Sequence, residues 1–309
     1  GMLLFAVVLQ YYWVGSTTMR HFLEDIFQKE GEVTQWFYAD PQHKPRGVAV
    51  VTHGLNLRPE KMYAIIRILN QEGIDAINVS LRGHGDNYRR RSGTAEAEDR
   101  LASFTHVAFL VWLREVHEAY LKALLRARRY GVPIYFAGYS LGGLLGCTLV
   151  LSHPQVHFHK MIFFSPSLVL QKKSYLLKPL QPFSGFVIDS LSPEDYRANS
   201  GTPIGAYNAL FDALQLFTDH AHTRLNIPTL VVIDAQDEFI DYDGLQTFIS
   251  EHRFNKWQFH VVEKDESLAM AIPHHLIIDE LCTGTEAWQN ITAALQRFLK
   301  DPQAKNVSR

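Results

Sequence analysis

Apolar and polar positions along the chain switch repeatedly between two periods. Gly47–Thr52 (GVAVVT) is a continuous β-branched run and predicts a strand buried on both faces. Pro59 to Asn70 places Met62, Ile65, Ile66 and Leu69 at helical spacing. Ala76 to Leu81 predicts a second strand, and Phe104 to Arg128 one long amphipathic helix closed by Gly131 and Pro133. The rhythm continues with a strand at Ile134 to Gly138, a helix at Leu141 to Ser152 and a strand at Lys160 to Phe164. Later come a strand at Thr229 to Ile233, a helix near Tyr242 to His252, a strand at Trp257 to Val262 and a closing helix at Glu286 to Leu299. Strands separated by helices imply a mostly parallel sheet covered on both faces. Upstream, Thr34 to Ala39 alternates and predicts an antiparallel edge strand.

Leu168 to Leu225 interrupts the rhythm with Pro179, Pro182, Pro203 and scattered aromatics, and no run in it is long enough to join the sheet. It predicts a mainly helical insertion over the strand ends. Met2 to Val14 (MLLFAVVLQYYWV) is almost wholly apolar, yet short of the roughly 20 residues a spanning helix needs. It lacks the basic start and small-residue cleavage site of a secretion signal. The expectation is a segment packed on the fold, with anchoring at a membrane surface or a signal remnant as the alternatives. The chain then divides into an apolar lead-in (1–33), a core (34–167 and 226–309) and an insertion (168–225).

Composition narrows the classes. The 309 residues are 47% hydrophobic and carry a formal charge of −2, which excludes general disorder and gives no basic excess for nucleic acid. Two cysteines, Cys147 and Cys282, cannot staple a chain this long. With no clear signal, this favours the cytoplasm, with membrane contact possible through Met2 to Val14.

Gly138-Tyr139-Ser140-Leu141-Gly142 fits G-x-S-x-G and stands between an expected strand and an expected helix. Roughly 0.06 chance matches are expected in a chain of this composition. Such a turn projects the serine hydroxyl, and side chains at the flanking positions would clash. A serine nucleophile needs a base, an orienting acid and an oxyanion hole. Asp237 follows the TLVVI strand and is the expected acid, with Asp234, Asp241 and Asp243 as rivals. The base comes last in the chain order, at His274 or His275. The hole takes the Leu141 amide, at a helix start, and the Leu55 amide in His53-Gly54-Leu55-Asn56.

These pieces resemble an α/β-hydrolase of the serine aminopeptidase-like branch, which includes monoacylglycerol lipases, lysophospholipases and carboxylesterases. His53-Gly54-Leu55, Leu81 to Gly85, Gly138 to Gly143, Pro228 to Asp237 and His274 to Asp279 carry the resemblance over most of the chain. The family often shows its catalytic histidine followed by a residue, two aliphatics, a residue and an acid. Setting His274-His275-Leu276-Ile277-Ile278-Asp279 on that pattern puts the base at His274, with His275 as the alternative. Asp234 departs from the family, which commonly has Gly there. The resemblance also implies a cap between two sheet strands, the place that residues 168–225 occupy.

The expected activity is a serine ester hydrolase acting on carboxylic or lipid esters through an acyl-enzyme on Ser140, with no cofactor and no metal. An aminopeptidase, an acyltransferase and a non-catalytic binding protein are the alternatives. Asp189, Glu194 and Asp195 are candidates to hold a substrate amine, and Arg89 to Arg91 to meet an anionic headgroup. Phe183, Phe186, Tyr196, Tyr207, Phe211 and Phe217 fill the cap's own core or line an acyl pocket. Asn78, Asn290 and Asn306 match the glycosylation pattern by coincidence, and Cys147 is read as a small core residue.

Overall fold

The computed structural model of the chain describes residues 33–301. Among them, seven strands form one sheet: β1 (Thr34–Phe37), β2 (Gly47–Thr52), β3 (Ile74–Val79), β4 (Ile134–Tyr139), β5 (Lys160–Phe164), β8 (Thr229–Ile233) and β9 (Trp257–Val261). Their spatial order is β1-β3-β2-β4-β5-β8-β9. All neighbours are parallel except β1, which runs antiparallel to β3 at the edge with Thr34 opposite Val79. Every residue of β2, β3, β4, β5 and β8 is buried, as two covered faces demand. The fold is that of an α/β hydrolase.

Helices α1 (Tyr63–Gln71), α4 (Leu141–Ser152), α6 (Tyr242–Glu251) and α9 (Thr285–Lys300) lie where helical spacing predicts them, and two short helices, α7 (Glu266–Ala269) and α8 (Glu280–Thr283), precede α9. The long helix expected over Phe104 to Arg128 is instead two, α2 (Glu96–Thr105) and α3 (Phe109–Tyr130). Ala108 is extended between them, and Phe104, Val107 and Phe109 all reach the core. One straight helix would keep Phe104 and Val107 on one face but turn Phe109 away from it. α3 ends at Gly131 in the left-handed conformation (φ 61°), the helix stop that glycine favours.

Between β5 and β8 lie a short 3-10 stretch (Lys172–Leu180), an antiparallel pair of β6 (Val187–Asp189) and β7 (Gly201–Pro203), and α5 (Ile204–His220). β6 and β7 form a separate ribbon outside the main sheet. α5 is part of the core: Ala209, Ala213 and Phe217 share the apolar cluster of Leu144, Cys147 and Phe163. The Cys147 thiol, enclosed there, is pushed up by burial.

Met2 to Val14, and the apolar lead-in that contains it, lie outside the described residues apart from Val33. Among the described residues no helix is long and apolar enough to cross a membrane. The cytoplasmic assignment with membrane contact through this segment is therefore withdrawn.

Lys160 is fully enclosed on β5, where the sequence pattern calls for an apolar residue. Its ammonium donates to the carbonyls of Phe298, Leu299 and Asp301 at the end of α9. A cation there satisfies carbonyls that the helix leaves open and meets the negative end of its dipole. Lys160→Ala, which strands those carbonyls, is expected to lose about 3 kcal/mol of stability in urea unfolding.

Candidate active site

The end of β4 turns into α4 through Ser140, whose φ of 52° and ψ of −115° are strained for a side-chain-bearing residue. The turn is held from both sides. The Ser140 amide donates to Phe164 O at 2.9 Å, and its carbonyl accepts from Gly143 N at 3.0 Å and Ser167 N at 3.1 Å. A Cβ at Gly138 would lie 2.6 Å from the backbone of Gly142 and Gly143, and one at Gly142 would strike Thr52 O. Both outer glycines of the motif are thus required by contact. Ser140 itself is 6% exposed and lines a cleft.

His275, in the loop after β9, places Nε2 2.9 Å from Ser140 Oγ. Its Nδ1 lies 2.8 and 3.0 Å from the two oxygens of Asp237. The ring sits between Tyr139 and Phe239, at centroid separations of 5.2 and 5.1 Å. Asp237 Oδ1 accepts from the amides of Phe239 and Ile240 at 2.8 and 2.9 Å. Burial works against the ionised carboxylate, but His275 and these amides outweigh it and hold its pKa below the usual carboxylate value.

The structure therefore brings together Ser140, Asp237 and His275, not His274. His274 points to the neighbouring acid, with Nδ1 2.7 Å from Asp234 Oδ2. The sequence register failed for a definite reason. Leu276, Ile277 and Ile278 are all aliphatic and buried, and both Asp279 and Glu280 are acidic. The family pattern fits equally well one residue later, from His275 to Glu280. Asp279 serves elsewhere, accepting the Tyr196 hydroxyl at 2.8 and 2.9 Å.

Glu238 escaped the sequence reading. Its two carboxylate oxygens accept the backbone amides of His274 at 2.8 Å and His275 at 3.0 Å. Four side-chain links thus tie the two loops together. Spacing gave no sign of this, because Glu238 binds amides that every residue carries.

Leu55 follows β2 in a loop where Asn56 takes a positive φ of 56°. Leu55 and Asn56 line the cleft beside Ser140. Among the described residues, neither the Leu55 nor the Leu141 amide donates to a protein acceptor. Two buried histidines brace this loop. His53 Nε2 accepts Leu81 N at 3.1 Å, so its Nδ1 carries the proton and donates to Gly54 O at 2.8 Å. His84 Nε2 accepts Asn56 N at 3.1 Å. Burial lowers His53 to about 4 and, with His53 as neighbour, drives His84 well below its usual value, so both stay neutral. From the insertion, Asn199 exchanges hydrogen bonds with Asn56 (2.8 and 3.1 Å) and donates to Gly83 O at 3.0 Å.

The cleft holds about 490 Å³, walled by Leu170, Leu177, Leu191, Leu210, Phe211 and Phe239 among others. Tyr207 and Phe211 are the insertion aromatics that line it, whereas Phe217 and Tyr196 are buried elsewhere and Phe183 and Phe186 face solvent. Arg89 to Arg91, a solvated surface loop by the plain reading and contacts for an anionic headgroup by the alternative, do not line it. Arg91 pairs with Asp99 at 2.7 Å and Arg90 faces Glu96 at 3.8 Å. Lys173 and Asp189 are the lysine and aspartate on its wall.

A family model described as serine aminopeptidase, S33, matches residues 43–200. No curated protein matches the chain. Among solved structures the chain is similar to a metagenome-derived lipolytic enzyme from a study of LipS and LipT. That match has a TM-score of 0.65 and 15% identity, over 88% of this chain and 98% of that one. It is similar to a soluble variant of monoglyceride lipase from Saccharomyces cerevisiae, solved with a substrate analog, at TM-score 0.62 and 13% identity over 89% and 96% of the two chains. It is also similar to a thermostable carboxyl esterase from Bacillus coagulans, solved with glycerol, at TM-score 0.58 and 14% identity over 88% and 97%.

Behind the His84 loop lies an enclosed Glu115, which accepts Arg82 N at 2.9 Å and Asn87 Nδ2 at 2.8 Å. Burial pushes its carboxyl up to about 7 from 4.5, against the pulls of Asn87 and Arg82. The folded state thus holds this proton more tightly than the unfolded chain. Its stabilising effect is full below about pH 4.5 and is lost as pH rises to about 7. Relative to Glu115→Gln, the wild type should lose on the order of 3 kcal/mol between these limits. Urea unfolding of both proteins at pH 4.5 and 7.5 reads the difference.

Proposed function

We propose that this chain, which belongs to the S33 serine aminopeptidase family of α/β hydrolases, is a serine hydrolase that cleaves carboxylic or lipid esters through an acyl-enzyme on Ser140. The observation that carries the reading is the continuous Ser140–His275–Asp237 hydrogen-bond chain opening on a mostly apolar cleft. His275 accepts the Ser140 proton as the oxygen attacks the ester carbonyl. Asp237 holds the ring with Nδ1 protonated and balances the imidazolium charge. The amides of Leu55 and Leu141 take the oxyanion, each contributing roughly 3 to 4 kcal/mol in comparable sites, and the positive end of α4 adds to them. The imidazolium then protonates the departing alcohol. Water, deprotonated by the same His275, releases the acid in a second pass through the same geometry.

The apolar walls favour a hydrophobic acyl chain. The lipase and esterase activities named for the similar structures are consistent with an ester. Asp189 on the wall is the observation that favours an aminopeptidase, and it stands among far more apolar neighbours. We read residues 168–225 as the cap: Ile188 to Ser192, Thr202, Tyr207 and Phe211 from it close the cleft opposite Ser140.

A fluorophosphonate probe is expected to label the wild type and not Ser140→Ala. His275→Ala should lose at least about 10³-fold in kcat on a nitrophenyl ester, while His274→Ala stays within about tenfold. The reverse order would place the base at His274. Nitrophenyl esters of apolar acids should be turned over faster than aminoacyl anilides; preference for the anilides would transfer the reading to a peptidase.

A further inference from the structure

Ser167 lies just beyond β5 in Ser165-Pro166-Ser167, 3% exposed, and lines the cleft. Its hydroxyl oxygen is 3.0 Å from Ser140 Oγ. Its amide donates to the Ser140 carbonyl at 3.1 Å, so backbone and side chain are both referenced to the same residue.

Proton bookkeeping assigns the direction of the hydroxyl pair. His275 Nδ1 faces both carboxylate oxygens of Asp237 and carries the ring proton, which leaves Nε2 as an acceptor. The Ser140 hydroxyl donates to that nitrogen. Its one hydrogen is then committed, so in the Ser140–Ser167 contact the hydrogen belongs to Ser167. Ser167 donates to a lone pair of Ser140 Oγ.

We propose that Ser167 is a further catalytic residue, a side-chain donor to Ser140 Oγ whenever that oxygen carries negative charge. This rests on Ser140 being the nucleophile. The oxygen becomes anionic twice, on giving its proton to His275 in acylation and on leaving the acyl carbon in deacylation. A donor to an anionic oxygen forms a stronger bond than the same donor to a neutral hydroxyl. The gain therefore falls on the transition states rather than the resting enzyme. Ser167 keeps its own proton throughout. His275 takes the Ser140 proton and returns it, and no bond forms at Ser167. The donor acts on the nucleophile's oxygen, whereas the Leu55 and Leu141 amides act on the substrate's, so the two contributions are separable.

The test compares Ser167→Ala with Ser167→Thr, which keeps the hydroxyl. Both variants are checked for wild-type melting temperature. Ser167→Ala is expected to lower the rate of fluorophosphonate labelling and kcat on a nitrophenyl ester by about 10- to 100-fold, with KM within twofold of wild type. Ser167→Thr is expected to recover most of both. Labelling and kcat unchanged or faster in Ser167→Ala, or a rise in KM alone, would overturn the proposal while leaving Ser140 as nucleophile. A wild type that resists the probe would overturn the nucleophile reading and this inference with it.

Discussion

Parallel pairing is the constraint from which the site follows. β2, β4, β5, β8 and β9 run the same way, so the loops leaving them emerge along one edge of the sheet. Leu55 leaves β2, Ser140 leaves β4, Ser167 leaves β5, Asp234 to Glu238 leave β8, and His275 follows β9. Residues more than two hundred positions apart in sequence meet at this edge because five strands are buried on both faces, and such strands need continuous apolar runs. The same burial makes Lys160 exceptional. A charge survives inside this sheet because the carbonyls ending α9 lie within reach of its ammonium.

The elbow concentrates the cost of that arrangement in one residue. Ser140 is held at positive φ by packing too close to admit a side chain at Gly138 or Gly142, and by hydrogen bonds to β5 and the segment after it. The loop after β2 that carries Leu55 is secured differently, by two neutral histidines that read backbone groups and by Asn199 reaching from the insertion. The insertion is thus doubly engaged. α5 belongs to the core through Phe217, while Asn199 and Tyr196 tie its middle to the site loops.

Where sequence reasoning succeeded, a local rule was sufficient. β2, α4, β5 and β8 match their expected bounds because burial on both faces, or a motif, dictates each residue. G-x-S-x-G was legible because the strand-turn-helix junction itself excludes side chains at Gly138 and Gly142. The break between α2 and α3 was not legible, since Phe104 and Phe109 are both apolar and the extended backbone at Ala108 depends on where the core lies. The roles of Glu238 and Ser167 were hidden for a related reason. Each acts on a neighbour brought in by the fold, through an amide or a hydroxyl that carries no pattern in sequence.

The choice between His274 and His275 shows how a local rule can point to the wrong one of two neighbours. His274 and His275 are the central residues of a turn closed by Leu276 N donating to Pro273 O at 3.0 Å, and their side chains part there: one reaches Ser140, and the other must find a partner or remain unpaired in a half-buried place. Asp234, the acid standing where the family commonly has glycine, is that partner. His274 and Asp234 are therefore one feature seen from its two ends. Together with Glu238, which takes both histidine amides, they tie the base-bearing loop to the acid-bearing loop at points on either side of the His275–Asp237 bond. A ring held on both sides keeps the His275 Nε2 aimed at Ser140 Oγ without relying on Asp237 alone.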